Sequence, residues 1–459
     1  MHRFQWIFWF SFTLTIACSN NLQQSASLPQ DEFVQVYFNH RDKTQIYRDP
    51  YRNIERQGDD LESVIIQEIA AAKSTIDLAV QELNLPLVAQ ALVKSQRSGV
   101  KIRVILENNY SHSLSKLNSS EIERLNQRDR QKYNQFFQLV DLNQDNYLSS
   151  AEIAQRDALV ILEQAGIPII DDTADGSKGS GLMHHKFMIV DRQTIVTGSA
   201  NFTLSDIHGD LDNPETRGNV NHLLRIENLE VADLFTEEFN YMWGDIKGIN
   251  PKFGLKKPWR SPKTITWKDT EMTLQFAPTS NRLDWRFSTN GLINETVDSA
   301  TTSIDLALFV FSDQTIANTL QQKHSQGVEI KGVFDAGFAY RYYSEVLDLL
   351  GVTLYLRCRA EAGNNSWDDP LKTIGTAQLV IGDKLHHKFA VIDNQAVISG
   401  SHNWSEAANK NNDETLIVIK NTLVSQHFAQ EFKRLYSSVQ LGLSSRIQNK
   451  LEQQKQQCD

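Results

Sequence analysis

A self-similarity at one fixed offset constrains this chain more than any other feature. Residues 75–80 read Thr-Ile-Asp-Leu-Ala-Val, and residues 303–308 read Ser-Ile-Asp-Leu-Ala-Leu. Further on, Gly99-Val100-Lys101-Ile102 is matched by Gly327-Val328-Glu329-Ile330, and both pairs lie 228 positions apart, so no gap intervenes. Each copy reads as an apolar strand, a helix and a second strand. The helices are predicted over 87–98 and 315–326, each ended by a glycine suited to a helix C-cap. Another strand precedes each unit, at 34–38 and 272–276. Apolar strands alternating with helices imply an α/β fold, two tandem domains with mostly parallel or mixed sheets flanked by helices. A length of 459 residues agrees with two or three domains.

The copies agree again in their polar residues. The first reads His184-His185-Lys186, then Asp191, then Gly198-Ser199-Ala200-Asn201. The second reads His386-His387-Lys388, then Asp393, then Gly400-Ser401-His402-Asn403. This offset is 202, so the first copy carries 26 extra residues between Asp77 and His184. Alternation along a strand puts His184 and Lys186 on one face and His185 on the other, and the same holds for His386, Lys388 and His387. Two such strands meeting at an internal pseudo-two-fold aim two imidazoles and two ammonium groups at one phosphate. His185 and His387 read as packed structural residues. Asp191 and Asp393 fit either a direct catalytic part or the shaping of a turn at the strand end.

The doubled HxKxxxxDxxxxxxGSxN pattern resembles the phospholipase D superfamily, and the resemblance runs over roughly residues 33–440. It implies a phosphohistidine route without a catalytic metal. One imidazole attacks phosphorus; the other protonates the leaving alcohol and then deprotonates water. The resemblance further implies that Lys186 and Lys388 offset the charge of a phosphodiester and that Asn201 and Asn403 donate to its non-bridging oxygens, with Ser199 and Ser401 as further donors. The resemblance implies His184 as nucleophile and His386 as acid and base. It also implies a carboxylate shortly after GSxN as acceptor for an imidazole. Glu414 supplies it in the second copy, whereas Asn221 stands in its place in the first. That difference suggests imidazoles of unequal basicity.

Within the extra segment, residues 141–152 resemble an EF-hand loop. Oxygen ligands fall at Asp141, Asn143, Asp145, Ser149 and Glu152, with the backbone carbonyl of Tyr147, so a single Ca²⁺ of structural role is expected. Asn146 replaces the usual glycine and tolerates left-handed angles. Helices are expected on either side, over 121–140 and 151–164, inside an insertion at about 115–165.

The ends complete the plan. A positive start, an apolar run and Leu14-Thr15-Ile16-Ala17 before Cys18 resemble a bacterial lipoprotein leader. The expected order is a leader to residue 18, a polar tether over 19–32, a first domain over 33–245, a basic Pro-rich linker over 246–269, a second domain over 270–440 and a polar tail over 441–459. Cys358 and Cys458 are free to pair, though nothing in the sequence demands it. A net charge of −10 argues against a surface built throughout for nucleic acid. The expectation is therefore an exported, membrane-anchored phospholipase D, with the phospholipid membrane as both substrate and anchor. A nuclease, a phosphatidyltransferase and a non-catalytic calcium-binding scaffold are the alternatives. A monomer suffices, because one chain holds both half-sites.

Overall fold

A computed structural model of the chain describes residues 28–42, 46–244 and 250–458. The leader, Cys18 and most of the tether lie outside the described residues. The first half forms a seven-stranded sheet in the order Val34–Phe38, His222–Glu227, Thr194–Gly198, Lys186–Val190, Thr75–Val80, Lys101–Leu106, Ile169–Asp171. The second half repeats this order with Thr270–Ala277, Glu414–Lys420, Ala396–Gly400, Lys388–Ile392, Ser303–Leu308, Glu329–Phe334 and Ile374–Thr376. Short strands extend that sheet at both edges, Lys263–Trp267 and Gln440–Leu441.

The sheets are mixed rather than mostly parallel. The crossover helices Pro86–Arg97 and Gln314–Ser325 join parallel neighbours, but each HxK strand returns at once as a hairpin into the GSxN strand. The motif aspartates make that turn. Asp191 and Arg192 have φ of 52° and 55°, and Asp393 and Asn394 have 51° and 54°, the left-handed pair that a tight hairpin turn requires. The Asp191 carboxylate accepts hydrogen bonds from the backbone of Lys73, Ser74 and Thr75 at 2.7–2.9 Å. Asp393 accepts from the backbone of Thr301, Thr302 and Ser303 at 2.8 Å. Both aspartates therefore lie at the opposite end of the strand from the histidines and pin the start of a neighbouring strand. Of the two parts expected for Asp191 and Asp393, this geometry matches the shaping of a turn.

Three apolar cores follow from the layering. One lies inside each half on the outer face of its sheet. The third is shared, with Phe187, Phe235 and Phe239 from the first half meeting Phe389, Phe428 and Leu274 from the second. Phe38 meets Phe428 edge-on with ring centroids 5.2 Å apart, so the halves are joined by buried aromatic area as well as by chain.

Four other expectations change. The tether's end is ordered, since Asp31 caps the first strand and the Pro29 carbonyl lies 3.0 Å from His427 Nε2. The basic linker is packed at one point, where its Lys257 is buried in ion pairs. The tail forms a helix, Ser445–Cys458, tied back by a Cys358–Cys458 disulfide. Each predicted insertion helix is broken in two: Asn126 caps Gln127–Val140, and Asp157 ends Ser150–Arg156 while capping Ala158–Gln164.

The Asp393 cluster gives a test. Burial acts to raise its carboxyl, but bonds from Ser303, Thr301 and Thr302 outweigh that and hold it well below the usual carboxylate range. Asp393→Ala is expected to cost about 1–3 kcal/mol of stability at neutral pH with kcat unchanged. A depressed carboxyl stabilises fully above its unfolded value of about 4 and loses that contribution as pH falls. The gap in melting temperature between variant and parent should close on acidification. A fall in kcat at unchanged stability would return Asp393 to the chemistry.

Candidate active site

The site forms where the halves exchange backbone. The His184 N–H donates to the Asp413 carbonyl at 3.0 Å, and the Asp413 N–H donates to Leu182 at 2.8 Å. Reciprocally, the His386 N–H donates to Val220 at 3.0 Å, and the Val220 N–H donates to Lys384 at 2.7 Å. Each HxK segment is thus paired with the residues just after GSxN in the other half.

This crossing exchanges the side-chain partners. Glu414 of the second copy lies 2.8 Å from His184 Nδ1 of the first, through Oε2. Asn221 of the first lies 3.0 Å from His386 Nδ1 of the second, through Oδ1. Asn221 donates its Nδ2 to the backbone of Asp206 and Asn219, which aims Oδ1 at the imidazole. In both cases an oxygen acceptor faces Nδ1. Each ring then carries its proton there and keeps the Nε2 lone pair for chemistry.

The serines, expected as phosphate donors, direct their hydroxyls at these partners. Ser199 Oγ donates to Asn221 Oδ1 at 2.7 Å, and Ser401 Oγ donates to Glu414 Oε2 at 2.6 Å. The glycine before each serine admits the neighbouring strand. A Cβ on Gly198 or Gly400 would stand 2.2 Å from the carbonyl oxygen of His222 or Thr415. Asn201 and Asn403 make no side-chain hydrogen bond to protein among the described residues, so their amides are uncommitted.

Lys186 and Lys388 are fully buried, and among the described residues neither has a carboxylate within ion-pair distance. Lys186 Nζ donates to the His184 carbonyl at 2.8 Å and Lys388 Nζ to the His386 carbonyl at 2.7 Å. Burial pulls Lys186 down to about 8, against the pull of Glu414 and Asp206. Burial, then Lys186, pulls Lys388 well below the ordinary lysine value. Two ammonium groups held this way favour a bound anion.

The imidazoles differ as their partners do. Burial lowers His184 to about 4, with Glu414 opposing and Lys186 assisting. Glu414 itself, despite burial, is held at about 2 by His184. Burial, then Lys388, Lys186 and His184, drives His386 well below its usual value, and its facing partner is a neutral amide. His185 and His387 face away as strand alternation predicts: His185 Nε2 meets Glu238 at 2.9 Å, and His387 Nε2 meets Glu431 at 3.2 Å.

Several residues of the site were not singled out in the sequence. Asp206 accepts from the Asn201 N–H at 2.8 Å and lies 3.9 Å from His386 Nδ1. Gln81 stands beside Lys186, whereas its counterpart at the 228-residue offset, Phe309, lies against His386 with ring centroids 4.7 Å apart. Extending the repeat alignment by one residue past the strand locates that pair. The oxygen groups of 141–152 lie in the insertion, apart from this site. Asp141 accepts from the Asn146 N–H at 3.0 Å, Glu152 accepts from the Leu142 N–H at 2.9 Å, and Asn146 has φ of 63°.

Comparison with known proteins agrees with this architecture. The family described as "Cardiolipin synthase, PLD-like domain" matches residues 65–243 and 293–436. The chain belongs to the phospholipase D-like family. A mitochondrial cardiolipin hydrolase of Mus musculus is 26% identical over 138 residues, which is 30% of this chain and 53% of that protein. A phospholipase D of Rickettsia bellii is 28% identical over 140 residues, 30% of this chain and 60% of that protein. The chain spans about half the length of the curated relatives it matches. The crystal structure of a phosphatidylserine synthase from Haemophilus influenzae superposes over 94% of this chain and 93% of its own, with a TM-score of 0.55 at 11% identity. That likeness bears on the fold.

The pH dependence of kcat/KM tests the electrostatics. A nucleophilic His184 is active when neutral, so activity is lost as pH falls through about 4. Lys186 acts when charged, so no activity is expected above about 8, whatever limb the protonation of His386 adds below it. An acid limb near the unperturbed imidazole value of about 6.5 would contradict this account of His184.

Proposed function

We propose that the protein is a phospholipase D, a phosphodiesterase that releases the headgroup alcohol from membrane phospholipids. The observation that carries the reading is the exchanged, unequal pairing of the two imidazoles, His184 with Glu414 and His386 with Asn221. A carboxylate on Nδ1 makes His184 the more electron-rich ring and stabilises the charge it gains on attack, as a nucleophile requires. His386 is hydrogen-bonded at Nδ1 to a neutral amide, with the Asp206 carboxylate farther off at 3.9 Å, so it holds its proton less firmly than a carboxylate-bonded ring would, as a general acid requires.

In the first step His184 Nε2 forms a bond to phosphorus and the phosphorus–alcohol oxygen bond breaks. His386, entering protonated, gives its proton to that oxygen. Burial, then Lys388 and Lys186, holds the His386 proton affinity down in the free site, and the bound phosphodiester offsets the two lysine charges. In the second step His386 takes a proton from water, the water oxygen bonds to phosphorus, and the phosphorus–nitrogen bond breaks. Phosphatidic acid leaves, and both histidines regain their starting states. Lys186, Lys388, Asn201 and Asn403 stabilise the non-bridging oxygens.

Lipid is favoured as substrate by the relatives' names, cardiolipin hydrolase and phospholipase D, and by a net charge of −10. The apolar run ending at Cys18 supports, in the same reading, an exported lipoprotein held at the bilayer that carries its substrate. We further propose Ca²⁺ at Asp141, Asn143, Asp145, the Tyr147 carbonyl, Ser149 and Glu152, an all-oxygen donor set on a loop with a left-handed sixth residue.

Two experiments test these readings. Headgroup release from mixed phospholipid vesicles is measured beside cleavage of single- and double-stranded DNA and RNA, with His184→Ala and His386→Ala as blanks. Lipid turnover abolished in both variants is expected. Nucleic-acid cleavage with inert vesicles would make the protein a nuclease, and headgroup exchange in preference to hydrolysis would make it a transferase. For the loop, calcium should raise the melting temperature of the parent and not of Glu152→Ala. Equal melting of the parent in calcium and in chelator would refute a bound ion.

A further inference from the structure

We propose that Lys257, in the segment joining the two halves, is a positioning residue that locks the His184–Glu414 pair, so that the connector is part of the nucleophile's support. The inference rests on the roles assigned above to His184 and Glu414.

Lys257 is 8% exposed, although it comes from a Lys- and Pro-rich stretch. Its Nζ pairs with Glu238, lies 2.6 Å from Asp413 Oδ1 and donates to the Ala277 carbonyl at 3.0 Å. The two carboxylates are each one bond network away from the reacting pair. Glu238 holds Nε2 of His185, the residue after the nucleophile, at 2.9 Å. Asp413 precedes Glu414 in the chain, and its carbonyl accepts the His184 N–H at 3.0 Å. One ammonium thus ties the backbone that presents the imidazole to the backbone that presents its carboxylate. Just before the lysine, the Gly254 N–H donates to Asp413 Oδ1 at 2.9 Å, so the connector grips Asp413 twice.

Among the described residues the other half-site has no such bridge. The position corresponding to Asp413 is Val220, and Glu431, the counterpart of Glu238, pairs with Arg434 of its own helix. Among the described residues, a lysine bridge of this kind between elements of both halves therefore stands only behind the histidine whose partner is ionised. A carboxylate beside the buried Glu414 would repel it and weaken its hold on His184, and Lys257 offsets that charge.

The charged groups around the pair define what the test must separate. Glu414, Lys186 and Lys388 act on His184, and His184, His402 and Lys186 act on Glu414. Lys257 touches none of these directly, so its removal reports on positioning.

Full-length protein is compared with Lys257→Met and Lys257→Arg. The first readout is the downfield proton resonance of the His184 Nδ1–H, assigned by its absence in Glu414→Gln and His184→Ala. It should shift or broaden in Lys257→Met and return in Lys257→Arg. The second is steady-state turnover of a phosphodiester substrate. Misplacing a reacting group can cost about 100-fold, so kcat should fall about 10- to 100-fold in Lys257→Met with KM little changed, and the acid limb of the pH profile should move down, because the Glu414 contact is what raises His184. Lys257→Arg should restore kcat and the limb. An unmoved resonance in a folded Lys257→Met protein overturns the proposal, whatever the turnover. A moved resonance in a protein whose parent turns over no phosphodiester leaves the strap standing and overturns the proposed reaction instead. Equal loss in the Met and Arg variants also overturns it, since a charge at that place would then be irrelevant.

Discussion

The structure depends on an exchange of backbone between its two halves. Each HxK segment is hydrogen-bonded to the residues that follow GSxN in the other half, through His184 with Asp413 and His386 with Val220. Everything chemical follows from those few bonds. They carry Glu414 to His184 and Asn221 to His386, and they bring two buried ammonium groups close enough to act on each other. Gathering like charges in a low-dielectric interior is unfavourable in isolation. The shared aromatic core, with Phe38 against Phe428 and Phe235 against Phe276, holds the halves together against that repulsion.

Duplication followed by small departures accounts for the division of labour. Both halves have the same strand order, the same left-handed turn at the motif aspartate and the same serine behind the imidazole's partner. A single exchange, a carboxylate in one half and an amide in the other, makes the two rings chemically unequal. The environment in front of the rings differs as well, with polar Gln81 beside Lys186 and aromatic Phe309 against His386. A symmetric scaffold thus supports an asymmetric reaction, one ring suited to carry phosphorus and the other to carry a proton.

Much of this was legible in the residues. The offset of 228 located the strands and crossover helices, and strand alternation separated His184 and Lys186 from His185. Asn221 stood out as a departure from Glu414 before any geometry was known. What could not be read was which half each partner serves, because the pairing crosses between segments some 200 residues apart and leaves no local pattern. The hairpin turn of Asp191 and Asp393 was hidden for a different reason: an aspartate at that spacing fits chemistry and turn geometry equally well. Lys257 carried no signal at all. A lysine among lysines and prolines reads as solvated, and only its burial against Glu238 and Asp413 distinguishes it from its neighbours.

The central claim is that the carboxylate-backed imidazole is the nucleophile. Rapid base-quench of a single turnover with a phosphorus-labelled substrate whose leaving alcohol needs no protonation, followed by peptide mapping, reads it directly, and His386→Asn slows breakdown so that the intermediate accumulates. The account predicts base-stable, acid-labile label on the peptide containing His184. Label on the peptide containing His386 in the parent enzyme, or turnover with no labelled histidine at all, would contradict it.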